Sequence, residues 1–537
     1  MSAKHTCQKN ELTVSRRGFI GALAGVGVIA AGGLNGCAPS GSAADAEEEV
    51  NGQSAPETID ENLSCDIAVV GAGISGLAAA VQAGQNGNNV ILLEKAGAAG
   101  GNGSGTECIF AIGSHYQKEM GIDIDPVDVV AKELEESQYR VDGSFWVDMV
   151  EKSADNIDWL EECGVGFSGK VDNYSAGGLY ETAHWFEGDA GAVGYVPAMQ
   201  AAAESAGVEI RFSTAASQLI VENGKITGLY ATNEDGKTLK IDCPVVILAS
   251  GGIGGNKELL LKEGWSQNQI DEMLFQCAPS VEGDGYQMAM AVGAKDFISQ
   301  CADQVFNSIR AFGSDTTPPY NSPLNGGFGI TSMGPCLWVN QDGNRFTPED
   351  LGYRNMAAQA TACKGNRASY AIFDQSVLDA CTQDPADAEV AEAAITPENA
   401  DSIFRADTIA ELAENFGIDP GVLQSTVDHY NELCKSGKDV EFGKRSDFMI
   451  PIENGPFYMG KMINLLVVID GGIMTSIRSE VLDGNQQPIP GLYAVGLDGA
   501  MLWRNVYTQN MPGTQMGNNV NSGRNAANAA AEYLQTA

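Results

Sequence analysis

The stretch that most constrains the fold is residues 65–95, CDIAVVGAGISGLAAAVQAGQNGNNVILLEK. Asp66 to Val70 is a short apolar, β-branched run stopped by glycine, the pattern of a buried parallel strand. Gly71-Ala72-Gly73-Ile74-Ser75-Gly76 follows without a break, Leu77 to Ala83 predicts a helix, and Val90 to Leu93 predicts a second buried strand tipped by Glu94. Strand, glycine turn, helix, strand and terminal acid are the parts of a dinucleotide-binding βαβ unit. Gly71 permits the tight turn, Gly73 lets the backbone approach a pyrophosphate, and Gly76 lets helix and strand pack closely. The helix N-terminus offers free N–H groups and a positive dipole end to phosphates. Glu94 is placed to accept hydrogen bonds from a ribose diol. These residues do not distinguish NAD from FAD.

The chain has 537 residues, room for two or three domains, and its 44% hydrophobic content with 65 glycines suits a large, loop-rich α/β protein. A formal charge of −39 excludes the basic footprint that nucleic-acid binding needs. The N-terminus reads as a leader. Ser15-Arg16-Arg17-Gly18-Phe19-Ile20 precedes a weakly apolar Gly/Ala stretch, a twin-arginine export signal, and Leu34-Asn35-Gly36-Cys37 resembles a lipobox. Residues 1–37 are therefore expected to be the signal, with Cys37 as a lipid anchor to the extracytoplasmic face of the membrane. Residues 38–63 are expected to be a polar linker.

Twelve cysteines occur without a CxxC pair, and four histidines, so zinc and common iron–sulfur spacings have no support and no metal is expected. Beyond Glu94 and Lys95, the glycine and hydroxyl loop through Gly101, Asn102, Gly103 and Ser104 suits wrapping around phosphates. Residues 126–163 show the spacing of two helices, and 195–206 of a third. Strands are expected around 208–212, 219–221, 225–231, 237–241 and 244–249, the last running into Ser250-Gly251-Gly252. From about 297 to 452 the texture changes to short mixed elements, which reads as a domain inserted into the nucleotide fold. The nucleotide sheet is expected to resume with Leu465 to Ile469. The organisation expected is a Rossmann-like dinucleotide domain (64–296 and 453–537) carrying an inserted α+β capping domain (297–452), within the α/β class.

Four motifs, in order along the mature chain, resemble the flavoprotein family of soluble fumarate reductases, succinate dehydrogenase flavoprotein subunits, urocanate reductases and 3-ketosteroid dehydrogenases. They are the unit at 66–95, Val245 to Gly252, Glu282-Gly283-Asp284-Gly285, and Pro490 to Gly496. The resemblance implies FAD, and non-covalent FAD, because the loop 96–106 lacks the histidine that covalent members use. It implies cofactor contacts at Gly71, Ala72, Gly73, Ser75, Gly76, Glu94, Lys95, Gly101, Asn102, Gly103, Ser104, Ala216, Ser250, Gly251, Gly252, Asp284, Gly496, Gln515 and Met516. Arg354 matches the arginine that donates a proton in the family, although the loop before it is one residue longer. The neighbouring Tyr353, a phenol, is the easier acid.

The family's carboxylate-binding residues are missing. Leu466 to Asp470 holds no histidine, Gln515 stands where an arginine is expected, and Ser299 to Asp303 again lacks a histidine. A dicarboxylate without cationic partners loses much of its binding, so fumarate is excluded in favour of an aromatic, enone or monocarboxylate acceptor. Trp503, Arg504 and Gln515 are candidate substrate contacts, and Tyr507 a third candidate acid or base. The expected reaction is reduction of a conjugated C=C bond, with hydride from flavin N5 and a proton from Arg354 or Tyr353. Electrons are expected from a membrane quinol or cytochrome pathway. The alternatives are a dehydrogenase of the 3-ketosteroid type and a flavin electron-transfer protein.

Overall fold

The computed structural model describes residues 55–536 apart from 175–177, 311–326, 329–334 and 383–384. The twin-arginine motif, Cys37 and most of the linker lie outside the described residues. The linker's end does not behave as a tether, because Glu61–Ser64 forms a strand paired in parallel with Thr238–Asp242.

The centre of the nucleotide domain is a six-stranded sheet. Its order is Glu480–Leu482, Pro488–Ala494, Val245–Leu248, Ile67–Val70, Val90–Leu93, Glu209–Arg211, and the last five strands run parallel. The four-residue strands at the middle are buried at every position, as a sheet covered on both faces requires. One face, with Ile67, Val69, Leu92 and Ile247, packs on the helices Ile74–Gln85, Val196–Ser205 and Thr514–Thr536. The other, with Ala68, Val70, Leu93 and Leu248, packs on a second sheet formed by Glu61–Ser64, Thr238–Asp242, Lys225–Asn233 and Thr214–Glu222. The helices expected over 126–163 are Pro126–Glu136 and Gly143–Glu162.

The inserted segment is built on a larger sheet whose middle strand is Phe457–Asp470, 14 residues long. It pairs with Ala302–Arg310, Ser369–Asp374, Ile403–Ala406 and Leu274–Phe275. Leu465 to Ile469 therefore does not resume the nucleotide sheet. An apolar run specifies a buried strand but not its partners, and here the antiparallel register with 302–310 (Ala302 opposite Asp470) takes it into the cap. The strand Leu274–Phe275 also joins the cap sheet, so the cap draws on chain from both sides of 297–452.

The cap has a charged centre. Arg345 donates from Nε to Glu349 at 2.8 Å and from Nη2 to Asp439 at 2.8 Å, and Lys444 lies 3.2 Å from Glu349. All four side chains are nearly or fully buried. Each charge is paired, as burial demands. Glu349 also accepts from the Trp338 amide, which ties the Arg345–Arg354 stretch to the cap sheet.

Candidate functional site

The parallel strands end at a narrow slot. It is lined by Gly71, Gly73, Ser75, Glu94, Lys95, the loop Gly100–Gly103, Thr214–Ala216, Ser250, Gly251 and Asp284. This lies outside the carboxyl ends of the strands, where α/β sheets bind ligands. Gly71 has φ +105°, and a Cβ there would lie 2.3 Å from the Ala249 carbonyl oxygen. At Gly76 a Cβ would lie 1.8 Å from the Gly71 oxygen. Gly73 differs, since its nearest neighbour to a built Cβ is the Gly100 oxygen at 3.9 Å, so its bare side faces the slot. Two glycines thus bring backbones together and the third leaves space for a ligand, as the motif predicts.

Glu94 serves the loop as well as the slot. Its two carboxylate oxygens each accept a backbone N–H at 2.7 Å, one from Ala72 and one from Ala96. A carboxylate oxygen has a second lone pair, so Glu94 can accept from a further donor in the slot it lines. Lys95 is ion-paired to Glu282 and to Asp284, which closes the slot's far side. Asp498, which the sequence reading missed, shapes the Ser250–Gly252 turn by accepting from the Ser250 and Gly252 amides and the Ser250 hydroxyl. Burial pushes its carboxyl up to about 6 against those hydrogen bonds. Ala72, Gly76, Gly252 and Gly496, expected as contacts, do not line the slot. Ala72 and Gly252 spend their amides on Glu94 and Asp498. Gly496 is a packing glycine whose Cβ would meet the Ser75 hydroxyl at 2.4 Å. Its neighbour Leu497 lines the slot instead.

At Gly101–Gly103 the slot opens into a cavity of about 500 Å³, within the range of small-molecule sites. Ser104, Gln515 and Met516 line it, as do Tyr507, Met356, Phe306 and Val468. Its polar wall is made of neutral amides and acids: Asn102, Gln276, Gln304, Gln509, Gln515 and Asn519, with Tyr174 donating to Glu107. No arginine, lysine or histidine lines it among the described residues. Asn102 stands at the junction. Its Oδ1 accepts from the Ala278 amide at 2.5 Å, while its buried Nδ2 has no partner, a donor left for a ligand spanning slot and cavity. A dinucleotide bound along the sheet edge with its ring system in the wider cavity fits these residues.

Several expected site residues are elsewhere. Trp503 is buried in a core with Phe110, Trp146 and Met149, its ring 5.2 Å from that of Tyr507. Arg504 lies over the Phe297 ring at 5.1 Å and does not line the cavity. This loop turns Trp503 into the core and leaves Arg504 half-buried, its Nε without a hydrogen-bond partner. Arg354, in the short helix Leu351–Arg354, bonds the buried Asp350 at 3.0 Å; Gly352 and Met356 line the cavity, and Arg354 does not. The side chain of Tyr353 lies outside the described residues. Gln304 was missed, although its alternation with Asp303 on a strand places the two on opposite faces.

Tyr507 donates its backbone N–H to Asn355 Oδ1 at 3.1 Å, and burial, then the nearby Asp470, pushes its phenol well above its ordinary value. The loop that carries it is anchored by the buried Glu133, which accepts from Thr508 at 2.5 Å and Asn510 at 3.3 Å.

Two outcomes follow from this geometry. Gly73→Val fills the slot, so purified protein loses its bound dinucleotide and only the part of its thermal midpoint that the ligand supplies, the ligand-free variant and ligand-free wild type melting within a few degrees of each other. Gly76→Ala forces backbone apart and lowers the midpoint as well. Burial raises Glu133 from 4.5 to about 7. A carboxyl whose folded pKa is raised stabilises fully below about 4.5 and loses that contribution as pH rises to about 7. Urea midpoints at pH 5 and pH 8 should therefore fall with pH in the wild type relative to Glu133→Gln, which keeps an acceptor and cannot ionise.

The chain is similar to known proteins over most of its length. A protein-family model described as an FAD binding domain matches residues 66–505. The chain is 33% identical over 502 residues to the vinyl phenol reductase of Lactiplantibacillus plantarum, covering 89% of this chain and 98% of that protein. It is 29% identical over 453 residues to the urocanate reductase of Eggerthella lenta, covering 82% and 70%. The fold is that of a Rhodococcus jostii 3-ketosteroid-Δ4-(5α)-dehydrogenase, with TM-score 0.69 and 22% identity over 90% of this chain and 99% of that one. A flavocytochrome c3 fumarate reductase aligns with TM-score 0.64 and 23% identity over 89% and 79%. The chain belongs to the FAD-binding fumarate reductase and succinate dehydrogenase flavoprotein family, and it is an FAD-dependent oxidoreductase acting on CH–CH groups.

Proposed function

We propose that this protein reduces the conjugated C=C bond of an uncharged aromatic alkene of the vinyl phenol class. The observation that carries this reading is the cavity wall, which offers amides, tyrosines and a carboxyl but no cation among the described residues. A dicarboxylate there would exchange its water shell for neutral dipoles and acids, at a cost of several kcal/mol. A neutral ring meets Phe306, Met356, Val468 and Met516 instead. The similarity to a vinyl phenol reductase over nearly the full length of both chains supports the same class.

Bound FAD, held non-covalently, supplies the hydride equivalent. The chain's residues orient the acceptor, exclude water and deliver the proton. Tyr507 lines the cavity, its ring 5.2 Å from that of Trp503. Its raised pKa keeps it protonated throughout the working range. Tyr507 is the donor that the geometry supports. Arg354 is the donor that the family resemblance implies, with its guanidinium on Asp350. Placement outside the cytoplasm, anchoring at Cys37 and electrons from a membrane quinol or cytochrome pathway rest on the leader sequence and complete this reading.

The test is turnover of 4-vinylphenol with chemically reduced viologen under anaerobic conditions, with the saturated product identified by mass. The FAD-loaded wild type should form 4-ethylphenol. Tyr507→Phe should lower kcat about 10²–10⁴-fold, the range for a positioned proton donor. If Arg354→Ala gives that loss and Tyr507→Phe does not, the proton comes from the arginine. No saturated product from the wild type would refute the proposed reaction.

A further inference from the structure

A chain of side-chain amides with one fixed direction runs along the cavity wall. Gln304 Nε2 donates to Asp470 Oδ2 at 2.9 Å and to Gln515 Oε1 at 3.1 Å, and Gln515 Nε2 donates to Asn519 Oδ1 at 3.0 Å. Gln304, Gln515 and Asn519 line the cavity, whereas Asp470 is fully buried behind them. Both hydrogens of the Gln304 amide are therefore committed, one to each oxygen. Its own oxygen, Oε1, accepts from no group among the described residues and is not among the sealed polar atoms.

Asp470 sets this direction. As an ionised carboxylate, or with its proton on Oδ1, Asp470 accepts at Oδ2, which is the arrangement the structure shows. Asp470 Oδ1 is buried without a hydrogen-bond partner, so Oδ2 carries the carboxyl's one side-chain hydrogen bond among the described residues. Gln304 must then turn its NH₂ inward and its oxygen toward the cavity. An acceptor backed by a buried carboxyl suits a neutral hydroxyl donor and repels an anionic oxygen.

We infer that the Asp470–Gln304 pair is the specificity element of the site: Gln304 Oε1 accepts a hydrogen bond from a phenolic hydroxyl of the acceptor, and Asp470 is the positioning residue that holds the amide in that orientation. This inference rests on the proposed aromatic-alkene reduction and adds to it the polar group by which the substrate is selected. Without a hydroxyl, the Gln304 oxygen is covered and left unpaired, the situation in which sites built around a hydrogen bond discriminate most strongly.

The test compares 4-vinylphenol with its methyl ether, 4-methoxystyrene, which has the same conjugated bond but no O–H. With FAD-loaded protein and reduced viologen, the wild-type kcat/KM ratio of phenol to ether should be about 100-fold or more. The ratio should fall to within about tenfold in Gln304→Leu and in Asp470→Leu, where the amide is removed or freed to turn. A merely structural loss would lower both acceptors together and leave the ratio in place. A wild-type ratio near one, with both acceptors turned over, would overturn the specificity assignment and leave the reaction standing. An unchanged high ratio in Gln304→Leu would overturn it too, and this variant decides the matter if Asp470→Leu does not fold. Turnover of neither acceptor by the wild type would overturn the proposed reaction and this inference with it.

Discussion

Everything at this site depends on how closely two parallel strands approach at their carboxyl ends. Ile67–Val70 and Val245–Leu248 run in register, Val70 opposite Leu248, and the chain leaves them at Gly71 and Ala249. Only a residue without a side chain allows that approach, since a Cβ at Gly71 would lie 2.3 Å from the Ala249 oxygen. The approach sets the width of the slot, and Glu94 and Asp498 then fix its two walls by accepting backbone N–H groups. Two carboxylates thus do for the loops what ladder hydrogen bonds do for the strands. They also leave the slot's backbone pre-formed for a phosphate-bearing ligand.

The cavity beyond the slot is governed by a different constraint, the packing of the cap's long strand. Phe457–Asp470 belongs to the cap sheet, yet its last residues, Val467 and Val468, line the cavity, and Asp470 sits behind Gln304. The larger sheet and the cavity therefore share one continuous element. The polar side of the cavity is an amide network rather than a set of charges, and its hydrogen bonds have a defined sense. Such a wall distinguishes substrates by where they donate, and it gives no Coulombic reward to a carboxylate.

What could be read from the sequence was what local spacing determines. Gly71, Gly73, Gly76 and Glu94 fall within one βαβ unit, and their roles follow from a turn, a helix start and a strand tip that adjoin in the chain. The helices 126–136 and 143–162 likewise declare themselves by period. The cap sheet did not, because Ala302–Arg310 finds its partner more than 150 residues away, and an apolar run does not say which sheet will take it. For the same reason the place of Gln304 is not legible locally, since it lies opposite Val468 on that distant strand. Trp503 and Arg504 were misplaced because they sit in a loop without period, where nothing in the order of residues separates an inward side chain from a rim one. That Leu466–Asp470, Gln515 and Ser299–Asp303 offer no cation was legible only through the positions the family resemblance assigns, since composition alone gives 31 lysines and arginines.

The central claim is that this neutral cavity accepts uncharged aromatic alkenes and not dicarboxylates. The most direct measurement is single-turnover reoxidation of the chemically reduced, FAD-loaded protein, mixed anaerobically with 4-vinylphenol or with fumarate and followed at the flavin absorbance. Reoxidation by the vinylphenol should run at least about 100-fold faster than with fumarate at equal concentration. Equal rates, or faster reoxidation by fumarate, would contradict it.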